Sequence, residues 1–385
     1  MGRRYAKRTS AIFSAITRRN VLKSLAASLT GLAGCGRKST DPLTADVAEM
    51  LMLCFYGSTT WSVMSRMLAA HLAAGRIGGV VFDASNVGSR QDVIDLVQMF
   101  CTSAPTVPLI AIDHEGGSVQ RLKSKHGFTA LPRALVVAQT VSVDQARSLY
   151  AQAASEMAAI GFNLNLAPVV DLHDPANPPI GHFGRAFAPD PETVTSYAEA
   201  FIDGFASANV LCAPKHFPGH GHSLADSHYG LPDITSTWSE KELEPYARLI
   251  ADGRAKIIMG GHLRLATIER EALPTTLSRA ATHGLLREKL GFNGVIMTDS
   301  LDMDAVLGLV SRRGAVIKAI AAGNDLLMIK NVGLFDPYLP QNVVIWVRDA
   351  IERGVLRERD IIESADRVRK LKQEIGGRSM SALSV

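Results

Sequence analysis

Eight short apolar runs punctuate the chain: LMLCF (51–55), GVVF (79–82), LIAI (109–112), NLNLAPVV (163–170), VLCA (210–213), IIMG (257–260), GVIM (294–297) and LLMI (326–329). Each is nearly continuous rather than alternating, the pattern of a strand covered on both faces. Between several of them lie stretches with helical spacing, over 143–161, 193–208, 239–253 and 311–323. Strands alternating with helices predict a parallel α/β sheet, and eight of them predict a (β/α)8 TIM-type barrel. A doubly wound open sheet is the alternative, although no GxGxxG or P-loop follows a strand.

Polar residues follow the runs at once: DASN after the second, DHEGG after the third, DLHD after the fourth, PKHFPGHGH after the fifth, GHLR after the sixth and TDSLDMD after the seventh. In a barrel these strand ends converge on one rim, the face where reactive groups gather.

Composition changes this picture mainly at the N-terminus. The 385 residues are 47% hydrophobic and 20% charged, enough for a large core. Residues 1–34 read as an export signal, with a basic start, the pair Arg18-Arg19, a short apolar run broken by Lys23, and then LAGC. That run is too short to span a bilayer. The twin arginine resembles a Tat signal, with a Sec route left open, and LAGC resembles a lipobox that would make Cys35 a lipid anchor in the cell envelope. Residues 35–42 read as a linker, 43–378 as the barrel domain and 379–385 as a tail. The signal holds seven basic residues and no acid, so its removal takes the formal charge from +4 to −3. Nucleic-acid binding thereby loses its support. Cys54, Cys101 and Cys212 show neither metal spacing nor a disulfide framework.

Three groups of residues suggest chemistry. Asp299, just past GVIM, is a rim carboxylate suited to act as nucleophile or base, with helix capping as the bland alternative. In KHFPGHGHSLADSHYGLP (215–232), Asp226 stands two residues before His228 in a loop that Pro218, Gly219 and Gly221 keep irregular. A carboxylate so placed can hold one imidazole tautomer and raise the basicity of the other nitrogen. Lys215 and His216 end their strand directly and suit gripping hydroxyls, as do Asp113, Arg121 and Arg185. His220 and His222, with His216, His228, Asp171 and His262, allow a zinc-hydrolase reading. Against it, the HxH motif follows the fifth strand, not the first, and the expectation is no metal and no cofactor.

The chain resembles the single-domain β-N-acetylhexosaminidases of glycoside hydrolase family 3. The resemblance rests on GGVVFDASNV, AIDHEGGSVQRL, GFTALPRA, GFNLNLAPVVDLHDPANPPIG, GRAF, the KHFPGHG…DSH block, PTTLS, GFNGVIMTDSLDMDAV and AIAAGNDLLMI, in order over roughly residues 43–330. It implies a retaining exo-glycosidase acting on terminal β-linked N-acetylhexosamine of cell-wall fragments. Asp299 would be the nucleophile, His228 the acid/base assisted by Asp226, and Asp113, Arg121, Arg185, Lys215 and His216 the sugar contacts. An imidazole, with a reference pKa of about 6.5, can work as acid or base near neutrality, and the loop's glycines suggest that it moves. The chain departs from the family at His114, Ser118 and Ser300, and by two residues inserted before Arg185. A β-glucosidase of the same family and a non-catalytic sugar-binding lipoprotein are the rival readings.

Overall fold

Each predicted run contains a strand in the computed structural model, which describes residues 41–382, with side chains to Ile375. Residues 1–40, on which the expected export signal and Cys35 fall, and the end of the tail lie outside the described residues. The barrel strands are β1 (Leu51–Cys54), β2 (Gly79–Phe82), β3 (Leu109–Ile112), β4 (Leu164–Asn165), β5 (Leu211–Cys212), β6 (Ile257–Gly260), β7 (Val295–Thr298) and β8 (Leu327–Ile329). Six form one parallel sheet in the order β8-β1-β2-β3-β4-β5, and β6 pairs with β7. Parallel bridges Phe217↔Gly260 and Met297↔Leu326 join the two pieces, so the eight strands close into a ring. The open-sheet alternative is excluded by that closure.

The unbroken apolar runs reflect two cores rather than one. Met52, Val81, Ala111, Leu166, Met259 and Met328 belong to a cluster inside the barrel. Their strand neighbours Leu53, Val80, Phe82, Ile110, Ile258 and Ile329 pack outward into a second cluster with the helices. Alternation is present in space but invisible in composition, because both faces of the strands are apolar apart from Asn165 in β4 and Thr298 at the end of β7. Outside, Phe82 meets Phe55, Phe100 and Phe162 edge to face at centroid distances of 5.0–5.9 Å.

The last helix, Glu358–Ala382, closes the barrel at the N-terminal ends of the strands. Its Val368, Leu371 and Ile375, spaced on one helical face, join the interior cluster. Buried Asp325 fastens it: the carboxylate accepts from Ile296 N at 2.7 Å and Arg367 Nε at 2.9 Å, and pairs with Arg287. Arg369 and Lys372 pair with Asp46 and Glu49 of the first described helix, Pro42–Glu49. With that end sealed, access to the interior is from the opposite rim. Cys54 and Cys212 are buried and Cys101 exposed, all as free thiols.

Candidate active site

Every residue singled out as catalytic or sugar-binding lines one cleft at the C-terminal ends of the strands: Asp113, Arg121, Arg185, Lys215, His216, Asp226, His228 and Asp299. A larger depression of about 600 Å³, beside Trp238 and Ile268, contains none of them.

The floor is an ion network built from β3, β4 and β5. Directly after β3 the chain makes a small hairpin, His114–Gly116 against Val119–Gln120, which returns Arg121 N to within 3.2 Å of Asp113 O. Gly116 turns this corner at φ +103, where an added Cβ would lie 2.3 Å from Pro132 O. Lys215 Nζ stands 2.7 Å from both Asp113 Oδ1 and Glu115 Oε1. Arg185 grips Glu115 through Nε and Nη2, each at 2.8 Å, and Arg121 reaches Asp113 and Asp83 at 3.3 Å. Planar Arg–carboxylate pairing of this kind fixes both partners. The insertion before Arg185 therefore leaves its guanidinium in the cleft. Glu115 was missing from the sequence reading, yet Asp113-x-Glu115 leaving a strand is the period-2 signal that places both carboxylates on one side.

Burial raises the Glu115 carboxyl, but Arg185 and Lys215 outweigh it and hold the group at about 2, below its usual 4.5. A carboxyl lowered on folding stabilises the protein above its unfolded pKa, and that stability is lost as pH falls through the folded value. The melting temperature should therefore decline between about pH 4.5 and 2. Glu115→Gln, measured by thermal denaturation, should melt lower at pH 7 and show a shallower acid decline; an unchanged slope would show that Glu115 is not the titrating anchor.

Asp171, buried beyond β4, organises the start of the histidine loop. Its Oδ2 lies 2.7 Å from His216 Nδ1, while Oδ1 accepts from the backbone N–H of His216 and His220 at 3.1 and 2.8 Å. His222 turns elsewhere, Nδ1 to Glu242 Oε1 at 2.6 Å. His220 is buried against the cleft with Nδ1 unpartnered, and burial lowers its pKa to about 4. His262 donates from Nε2 to Ser300 O at 2.9 Å, since a carbonyl only accepts, so Nδ1 takes the Thr276 hydroxyl at 2.6 Å. Asp171 thus holds His216, Glu242 holds His222, Asp226 holds His228, and Thr276 and Ser300 hold His262, and no metal-holding group of three or more His, Cys, Asp or Glu occurs among the described residues.

One expectation needs correction. Gly219 and Gly221 do not loosen the loop: both are buried, and added Cβ atoms would lie 2.4 Å from Glu242 Cβ and 2.1 Å from Leu172 O. Gly221 is required by its close approach to the Leu172 backbone, and Gly219 by a φ of +120 with the Glu242 side chain packed against it. The exposed part begins only at Leu224 and contains the dyad. There Asp226 Oδ1 accepts from His228 N at 2.9 Å and from Nδ1 at 2.8 Å, which leaves Nε2 for proton exchange.

Asp299 leaves β7 with its N–H on Gly260 O at 3.2 Å. Its Oδ1 accepts the Ser300 N–H at 2.6 Å, and His262 Nε2 bonds Ser300 O in the next peptide along. Burial pushes the carboxyl up, but His262, His216, the Ser300 N–H and Lys215 together hold it below the ordinary value. Asp299 and the carboxylate-held imidazole of His228 line one cleft, the equipment of acid/base and nucleophilic hydrolysis on a barrel rim.

Comparison with known proteins gives this equipment a family. The pattern of the Glycosyl hydrolase family 3 N terminal domain matches residues 43–371. A beta-hexosaminidase of Tolumonas auensis is 37% identical over 262 residues, 66% of this chain and 76% of that protein. A glycoside hydrolase family 3 beta-N-acetylglucosaminidase from Paenibacillus sp. superimposes with a TM-score of 0.78 at 30% identity, over 88% of this chain and 63% of that one. The beta-N-acetylhexosaminidase of Beutenbergia cavernae gives the same TM-score at 27% identity, over 87% and 99% of the two chains. The chain belongs to glycoside hydrolase family 3.

Proposed function

We propose that this family 3 glycoside hydrolase removes terminal, non-reducing β-linked N-acetylhexosamine, N-acetylglucosamine in particular, with retention of configuration. The observation that supports it best is the meeting of Asp299 and the Asp226–His228 pair in one cleft above the Asp113–Glu115–Lys215–Arg185 network. The names of the Tolumonas and Paenibacillus relatives support the sugar.

Asp299 attacks the anomeric carbon while His228 Nε2–H protonates the departing oxygen, leaving a glycosyl ester on the carboxylate. His228, now neutral, takes a proton from water as that water breaks the ester. Asp226 keeps Nδ1 protonated throughout and stabilises the transient imidazolium. Asp113, Arg121, Arg185, Lys215 and His216 grip the sugar, and the ion pairs of Asp113 with Arg121 and Lys215, of Glu115 with Arg185 and of Asp171 with His216 hold them in place before it arrives.

The leader completes the proposal: residues 1–34 direct export, Cys35 receives a lipid anchor, and the barrel domain of 43–378 works on cell-wall fragments in the envelope. Paired aryl β-N-acetylglucosaminide and β-glucoside assays test the sugar assignment. Preference for the N-acetylglucosaminide by about a hundredfold in kcat/KM is expected, since polar contacts to the acetamido group are lost with glucose. A preference for the glucoside overturns the assignment.

A further inference from the structure

We propose that Tyr229 forms a platform for a sugar ring in the leaving group, so that the preferred substrate is a glycan and not the glycoside of a small alcohol. This rests on the assignment of His228 as the acid that protonates the glycosidic oxygen. Single exposed apolar side chains are ordinary, and exposure of Tyr229, at 85%, would prove little alone. Its position is the argument.

Tyr229 follows His228 directly, and its backbone N–H bonds Asp226 O at 3.0 Å. The residue that orients the acid therefore also fixes where Tyr229 starts. The glycosidic oxygen must come to His228, and the sugar being cleaved lies toward Asp113, Glu115 and Lys215 on the cleft floor. The remaining substituent of that oxygen has to leave past His228 toward solvent, over the loop after β5. Phe183, half exposed, stands between cleft-lining Ile180 and Arg185 on the neighbouring loop after β4. An aromatic face presents dispersion contacts to the C–H face of a pyranose, and tyrosine loses little rotamer freedom in doing so.

The rim supplies its own control. Trp61, equally open at 82%, sits on the loop after β1, and β1 lies four strands from β5 around the ring. A leaving group that passes His228 does not pass Trp61.

The test compares kcat/KM for methyl β-N-acetylglucosaminide and for the β-1,4-linked N-acetylglucosamine disaccharide. Both leaving groups are unactivated alcohols that need the acid, and only one contains a ring. Tyr229→Ala should lower the disaccharide value about tenfold and leave the methyl glycoside within about twofold. Tyr229→Phe should keep the wild-type ratio, and Trp61→Ala should alter neither substrate. Equal losses on both substrates, an unmoved ratio, or a ratio that responds to Trp61→Ala instead would each overturn the platform while leaving the hydrolase reading intact. Wild-type protein that cleaves neither glycoside would overturn that reading, and the platform with it.

Discussion

Asp299→Asn should lower kcat on an N-acetylglucosaminide by about four orders of magnitude or more while the protein stays folded. The amide keeps the carboxylate's size, and its oxygen can still accept the Ser300 N–H, now 2.6 Å from Oδ1. Clamping of Ser300 O by His262 is equally untouched. What disappears is the anionic oxygen that would bond to the anomeric carbon. Steady-state kinetics with a matched thermal melt checks both halves. Activity within tenfold of wild type, or a collapse of the melting temperature, would remove Asp299 from the nucleophile's role.

His228→Ala should give a loss that depends on the leaving group. For a natural disaccharide, whose leaving alkoxide needs a proton, kcat/KM should fall by about 10²- to 10⁴-fold. For an activated aryl glycoside, whose phenolate leaves unaided, it should fall about tenfold or less. Turnover of the aryl substrate should still slow at the second step, because water has lost its base. A small anionic nucleophile that needs no base should restore it. Equal losses on both substrates would show that His228 does not protonate the leaving group. The 65% exposure of the imidazole makes truncation there tolerable for the fold.

The strands were legible because a parallel strand buried on both faces is apolar at nearly every position. The placement of Asp299, Lys215 and His216 followed from strand ends alone. Asp226 and His228 were legible because their contact spans two residues, so a turn suffices to make it. The partners that give the cleft its electrostatics were not. Arg185 meets Glu115 across 70 residues, and His216 meets Asp171 across 45. Such pairings exist only once the ring of strands has closed. Gly219 and Gly221 show the same gap: their composition suggests freedom, whereas the neighbours that demand a missing Cβ, Glu242 and Leu172, come from other segments. The spacing of Val368, Leu371 and Ile375 is amphipathic in sequence, but nothing local says that this face seals the barrel. The run 163–170 contains a strand of only two residues, after which the chain bridges Lys215 through Val169.

The central claim is a covalent intermediate on Asp299, and trapping it is the direct measurement. Protein incubated with a slow 2-fluoro or comparable glycosyl donor, then digested and analysed by mass spectrometry, should yield one glycosylated peptide with the added mass on Asp299, and none from Asp299→Asn. An adduct on a different carboxylate, or turnover of the donor with inverted anomeric configuration and no adduct, would contradict the account.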